Sequence, residues 1–158
     1  VVYIMKVYIG PYEDNVGQTQ EIEIHHYDTW SMDYTLAPII LPMLKQLRET
    51  KHGAPDVDMG DVPEELRCND VSSKAYWSTG EPDEKFFDRW NWIMDEMIWA
   101  FEQKGKDNWE DEYYGPHIPN DSGIGDFEWI DHDGLKAHQE RMSNGFRLFG
   151  KYFENLWD

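Results

Sequence analysis

Phe86-Phe87-Asp88-Arg89-Trp90-Asn91-Trp92-Ile93-Met94-Asp95-Glu96-Met97-Ile98-Trp99-Ala100-Phe101 is the stretch that decides how this chain folds. Phe86, Phe87, Trp90, Ile93, Met94, Met97, Ile98 and Phe101 recur at three- and four-residue spacing. At about 100° per residue this gathers them into one broad stripe of an α-helix. That stripe predicts a core face. Trp92 and Trp99 fall on the opposite side, among Asp88, Asp95 and Glu96. Bare indole surface is unfavourable in water, so two arrangements satisfy the pattern. Either a second layer of the same chain covers both tryptophans, or they form a contact surface rimmed with carboxylates. In the second arrangement Trp92 and Trp99 anchor a protein partner or a second copy of the chain. Asp88, Asp95 and Glu96 then steer a basic partner and exclude wrong ones.

Working outward, two more helices are predicted. Leu36, Ile40, Met43, Leu44 and Leu47 form a stripe that opens at an N-cap, Thr35 or Asp33. Pro42 predicts a kink, because it removes a backbone bond and crowds residue 38. Lys51-His52-Gly53 predicts the end of that helix, with the glycine in a left-handed cap. Gly134 to Trp157 carries Leu135, His138, Met142, Phe146, Phe149, Phe153 and Leu156 on one stripe and alternating charges on the other. Gly145 and Gly150 weaken this last helix, and a break near Asn144-Gly145 is expected.

Val2 to Ile9 and Gln20 to His26 read as strands, joined across Gly10-Pro11 as an antiparallel pair. Alternation of Ile22 and Ile24 with Glu21 and Glu23 predicts one wet face and one covered face. Ala54 to Gly80 and Lys106 to Asp131 are long connections. Asp61 to Leu66 forms a helical turn in the first, and Trp109, Tyr113, Tyr114, Phe127 and Trp129 make the second pack. The predicted fold is therefore α+β and helix-dominated, a single domain over 1–158. Its N-terminal two-stranded antiparallel pair is packed on three main helices with long ordered loops.

A chain of 158 residues fits one core, burying roughly 70% of its unfolded surface. Its 32 acidic residues against 14 Lys and Arg give a net charge of -18. Nucleic-acid affinity comes largely from Lys and Arg displacing counterions, so direct nucleic-acid binding is not expected. Disorder is not expected either, because eight Trp, nine Tyr and seven Phe supply ample burial. The lone Cys68 excludes an intrachain disulfide and reads as a structural thiol. No run of apolar residues is long enough to span a membrane, and the start has no signal-peptide layout. Asn120-Asp121-Ser122 matches the glycosylation triplet, an empty match without a secretory signal.

Several constellations have a chemical and a bland reading. His25, Asp28 and Asp33, with His26 beside them, could supply ligands to a divalent metal, the basis of an alternative function as a metal-dependent hydrolase of a nucleotide or phosphoester. The simpler reading is stronger. His25 and His26 point to opposite faces of a strand, and Asp33 serves as a cap. The dipeptide His132-Asp133, with Glu128 and His138 nearby, is similar to the His-Asp pair of metal phosphohydrolases. The remote His and Asp that such a site needs cannot be assigned, and Asp131 or Asp133 more simply caps the last helix. Asp121 to Asp126 has the acid and glycine texture of a calcium loop without its ligand alternation. No phosphate-cradling loop or nucleophile elbow is present, and no cofactor is expected.

Asp28-Thr29-Trp30-Ser31-Met32-Asp33, Pro38 to Lys45, Lys51-His52-Gly53-Ala54-Pro55, Asp61 to Leu66, Phe87 to Met97 and Asn144 to Tyr152 together resemble a family of small proteins encoded by tailed bacteriophages, especially marine ones. The resemblance covers most of the chain and is weakest from Gly105 to Gly125. It implies a phage origin and a setting in the host cytoplasm or the virion, and it carries no catalytic residue over. It also implies the tasks phages give to small acidic proteins: blocking a host enzyme, mimicking DNA charge, or assisting assembly. The expected function is a non-enzymatic accessory or interaction protein whose acidic surface binds a basic host or phage partner.

Overall fold

The computed structural model describes residues 5–14, 16–68, 82–119 and 125–158. The chain is α+β and helix-dominated, with an N-terminal antiparallel strand pair, as its periodicities predict. Two compact units are separable in it, residues 1–36 and 37–158.

In the first unit β1 (Lys6–Glu13) pairs antiparallel with β2 (Gly17–Glu23), setting Val7 opposite Ile22 and Ile9 opposite Gln20. Gly10-Pro11 does not end β1 as predicted. The strand runs through it, and the register shifts between Ile9 and Tyr12. Proline has no amide hydrogen for the ladder, and a bulge lets a strand carry one. The turn closes with the Val16 N–H donating to the Glu13 carbonyl at 3.1 Å, followed by Gly17 at a left-handed φ of 84°. The expected covered face is not found in this pair, since Ile22 and Ile24 are 56% and 54% exposed.

Helix α1 (Met32–Thr50) starts before either predicted cap, so Asp33 and Thr35 lie inside its first turn. The Thr35 hydroxyl donates to the Asp28 carbonyl at 2.9 Å. Pro38 and Pro42 both lie within this one helix. Gly53 does not take the left-handed cap, because among the described glycines Gly17 is the one with positive φ. Gly53 instead lies under Trp157, whose ring carbon would stand 3.3 Å from an added Cβ.

The core of the second unit is built on α2 (Phe86–Lys104), a single continuous helix. Trp90, Ile93, Met94, Met97 and Phe101 are buried with Ala37 and Leu44 of α1 and with Leu148 and Tyr152 further on. Phe87 departs from the predicted stripe. It is exposed in the first turn and rests edge-on against Phe86. The segment after α1 is more than a surface connection, because Val57 and Val62 enter the core on either side of the 3₁₀ turn Met59–Asp61.

Beyond α2 the aromatic segment packs only in part, with Trp109, Tyr113 and Tyr114 half-buried and Phe127 and Trp129 40% and 51% exposed, and it contains a second small hairpin that the sequence does not announce. Strands β3 (His117–Ile118) and β4 (Asp126–Phe127) pair antiparallel, flanked by a Tyr114–Ile130 bridge. Helix α3 (His132–Lys151) is capped by Asp131, whose carboxylate accepts the Gly134 N–H at 2.9 Å. No break occurs at Asn144-Gly145. A Cβ on Gly145 would stand 2.4 Å from the Ala100 Cβ and 2.7 Å from the Glu96 carbonyl, so the glycine is where α2 and α3 touch. His138 and Met142 of the predicted stripe are buried, and beyond them the most buried side shifts from Phe146 and Phe149 to Gly145, Leu148 and, just past the helix, Tyr152. Ser72-Ser73, the glycosylation triplet and most of the Asp121 to Asp126 texture lie outside the described residues.

Candidate functional site

The predicted ridge resolves into two different environments. Trp92 and Trp99 are both half-buried, and Asp88 is exposed. Asp95 is paired, its carboxylate accepting both Arg48 Nε at 2.8 Å and Arg48 Nη2 at 3.2 Å. Glu96 is buried and accepts two hydrogen bonds from Arg141, at 3.0 and 2.7 Å, which hold the guanidinium pKa above its ordinary value. That same guanidinium lies 3.9 Å from the centre of the Trp99 ring. A cation over an indole face is attractive, so Arg141 covers Trp99 and neutralises Glu96 with one group. Two of the three carboxylates expected to steer a partner are therefore engaged by arginines of the same unit.

Trp99 has a second neighbour, His138, which is buried between it and Trp109, with ring centroids 4.9 and 4.6 Å away. His138 Nδ1 shares a 2.8 Å hydrogen bond with the Tyr113 hydroxyl, while its buried Nε2 makes none. Burial lowers the imidazole pKa against the pull of Glu112, and the charges of Lys106 and Arg141 lower it further. The sequence places His138 on the core stripe of α3, and the structure makes it the centre of an aromatic stack.

The polar feature most hidden from sequence reasoning is Asp61. Its carboxylate accepts hydrogen bonds from Arg147 at 2.7 Å, from Lys151, and from the Tyr152 hydroxyl at 2.8 Å. Burial would raise the Asp61 pKa, but these three donors outweigh it and hold the carboxyl below the ordinary range. Tyr152 also accepts the Asp58 N–H at 3.0 Å, and burial pushes its phenol up to about 12. The cluster ties the segment after α1 to α3. Only the i,i+4 spacing of Arg147 and Lys151 signals it, and that spacing reads as a solvated face.

Two of the three proposed metal ligands, His25 and Asp28, serve the backbone. His25 Nδ1 accepts the Tyr27 N–H, and the Asp28 carboxylate accepts the His25 N–H at 2.7 Å, which together form a capping box on the 3₁₀ turn His26–Thr29. Asp33 stands in the first turn of α1, where the helix dipole favours a carboxylate. Among the described residues no group of three or more His, Cys, Asp or Glu side chains is arranged to hold a metal ion.

An apolar concavity lies elsewhere, where the outer face of α1 meets the last residues of the chain. It is a groove of about 850 Å³ whose walls include Ile40, Met43 and Leu47 on one side and Phe149, Phe153 and Trp157 on the other. Met43, Phe153 and Trp157 are 65%, 62% and 54% exposed. Apolar side chains of this size left open along one groove mark a contact surface. The predicted stripes contain Met43, Phe149, Phe153 and Leu156, but a stripe counts all its members as core. The groove exists because α1 and the turn Phe153–Asn155 leave those outer side chains facing each other without a layer between them.

Polar groups at the groove are few: Gln46, Thr50 and Asp158. The Asp158 carboxylate accepts the His52 N–H and is held below the ordinary carboxylate range first by that bond and then by the His52 ring. Among the described residues no Lys or Arg lines the groove. Those adjacent in sequence are engaged elsewhere, Lys45 with Glu102, Arg48 with Asp95, Lys51 with the Arg48 carbonyl, and Lys151 with Asp58 and Asp61. Among the described residues no helix is long and apolar enough to cross a membrane. No family model matches the sequence, and comparisons with characterised proteins and with solved structures return no match.

Proposed function

We propose that this chain is a non-enzymatic interaction protein of phage origin, an accessory factor whose acidic surface docks a basic host or phage protein through the groove between α1 and the chain end. One observation carries the reading: an open apolar groove, walled by Met43, Phe149, Phe153 and Trp157, whose one charged lining residue among the described residues is Asp158, in a chain of net charge -18. Apolar side chains supply affinity, and the surrounding negative charge raises the encounter rate with a basic partner and repels acidic ones. The likeness of residues 28–33, 38–45, 51–55, 61–66, 87–97 and 144–152 to proteins of tailed phages supports the origin and a place in the host cytoplasm or virion. His25 and Asp28 form a backbone capping box and Asp33 lies in the first turn of α1, which favours the binding reading over the metal-dependent hydrolase.

The test is affinity capture from bacterial lysate with the wild-type chain and a Met43→Glu/Phe153→Glu chain side by side. Basic proteins should be retained by the wild type, released steeply as salt rises, and lost from the variant. Equal retention by both chains, or a retained set with no basic bias, overturns the reading.

A further inference from the structure

We infer that the groove receives one face of a cationic amphipathic α-helix, a partner segment with an apolar stripe of three anchor residues flanked by Lys or Arg. This rests on the groove being the contact surface, and it specifies the shape and charge of the occupant. The first argument is length. The α1 wall runs from Ile40 to Thr50, which at 1.5 Å per residue is about 15 Å, or three turns. A helix laid along that wall presents side chains at i, i+4 and i+7 over about 10 Å, so three anchors fit the available wall.

The second argument is the chemistry of the lining. An extended strand docks by giving its backbone to an exposed strand edge, and the groove has none, since its walls are helix α1, the last turn of α3 and the 3₁₀ turn after it. A helix satisfies its own backbone and asks only for apolar contact, which Met43, Leu47, Phe149, Phe153 and Trp157 offer. The third argument is charge. Asp158 lies in the lining, and the exposed Glu49 and Glu154 are sequence neighbours of Thr50 and Phe153. Of the cations nearest in sequence, Lys45, Arg48 and Lys151 are bonded to other carboxylates and Lys51 donates to the Arg48 carbonyl at 3.1 Å. A helix flanked by Lys or Arg gains from this setting, and one flanked by Asp or Glu is repelled.

The experiment uses the full chain and fluorescein-labelled synthetic helices of about fourteen residues, four turns. One carries a Leu stripe with Lys at the other positions. A second replaces Lys by Glu. A third scrambles the first, keeping its charge and composition and abolishing the stripe. By anisotropy the striped Lys helix should bind at least about tenfold tighter than either comparator, a ratio well beyond experimental scatter. Met43→Glu/Phe153→Glu should weaken it at least about tenfold, and Asp158→Asn by about two- to fivefold with a shallower salt dependence. The double variant changes two exposed side chains. Should its circular dichroism depart from wild type, Trp157→Glu replaces it.

Scrambled and striped Lys helices of equal affinity would mean that charge alone binds, and a folded groove variant of undiminished affinity would mean that docking is elsewhere. Either overturns the inference. The same is true of a Glu helix that binds as well as the Lys helix. If the striped helix fails while groove-dependent capture of basic proteins persists, the helical occupant is wrong and the binding function stands. If capture is also independent of the groove, both fall.

Discussion

Ile22 in the N-terminal hairpin and Ile93 in α2 are the same side chain in opposite settings, the first 56% exposed and the second 0%. Each sits on a pattern that reads as half-buried, alternation in β2 and a three/four stripe in α2. What separates them is the number of layers opposed to each. Two strands make one layer, and within that unit Val7, Tyr8 and Ile9 are exposed alongside Ile22. Helix α2 instead has neighbours around most of its circumference: α1, the segment carrying Val57 and Val62, and α3. Its buried side is wide enough to take in Arg89, which donates to the Asp83 carboxylate and at 3.2 Å to the Leu66 carbonyl. Periodicity tells which residues share a face, and only opposed layers decide whether that face is dry.

That contrast is sharpest in substitutions. Ile93→Ala should cost about 2–5 kcal/mol, the loss of buried methylenes plus an unfilled cavity, whereas Ile22→Ala should stay within about 0.5 kcal/mol. Urea unfolding of both variants measures it, and comparable losses would mean that the hairpin is a packed element. Next in size is a pair of glycines on one helix. Gly145→Ala forces a methyl into Ala100 and the Glu96 carbonyl and should cost about 1–3 kcal/mol of overpacking. Gly150→Ala meets nothing within 4 Å and should gain up to about 1 kcal/mol from helix propensity. Thermal denaturation that moved both in the same direction would contradict the close approach of α2 and α3.

The smallest effect comes from His138. Its folded-state pKa lies below the ordinary 6.5, so between that value and 6.5 the unfolded chain holds more protons. Stability therefore rises with pH in this window, is whole above 6.5, and is lost as pH falls toward the folded pKa. The slope is at most about 1.4 kcal/mol per pH unit. His138→Gln should flatten that part of the curve, measured as unfolding free energy against pH from 7.5 to 5. An unchanged slope would place the acid sensitivity among the carboxylates instead.

The residues of the candidate groove are legible in the sequence as apolar and invisible there as a groove. Met43 and Phe153 each satisfy a helical stripe, and nothing in local spacing distinguishes a member that meets the core from one that meets its counterpart across an open cleft. The Trp ridge escapes local reading for a related reason. Trp99 is answered by Arg141 and His138, far along the chain in α3, and the pairing of Glu96 with Arg141 depends on the register that Gly145 permits. The Asp61 cluster draws on Asp58, Arg147, Lys151 and Tyr152 from opposite ends of the second unit, so its one local trace, the i,i+4 spacing of Arg147 and Lys151, reads as a solvated face.

By itself the sequence determined three helices, an N-terminal strand pair, a core face on α2 and a strongly acidic surface, because hydrophobic periodicity and charge are local properties of the chain. The tertiary structure decided that the indoles of Trp92 and Trp99 are partly covered, that Gly145 is a contact and no break, and that α1 and the last residues of the chain leave an apolar groove open. Those outcomes depend on which layers oppose one another, a long-range matter of packing that residues adjacent in sequence do not encode.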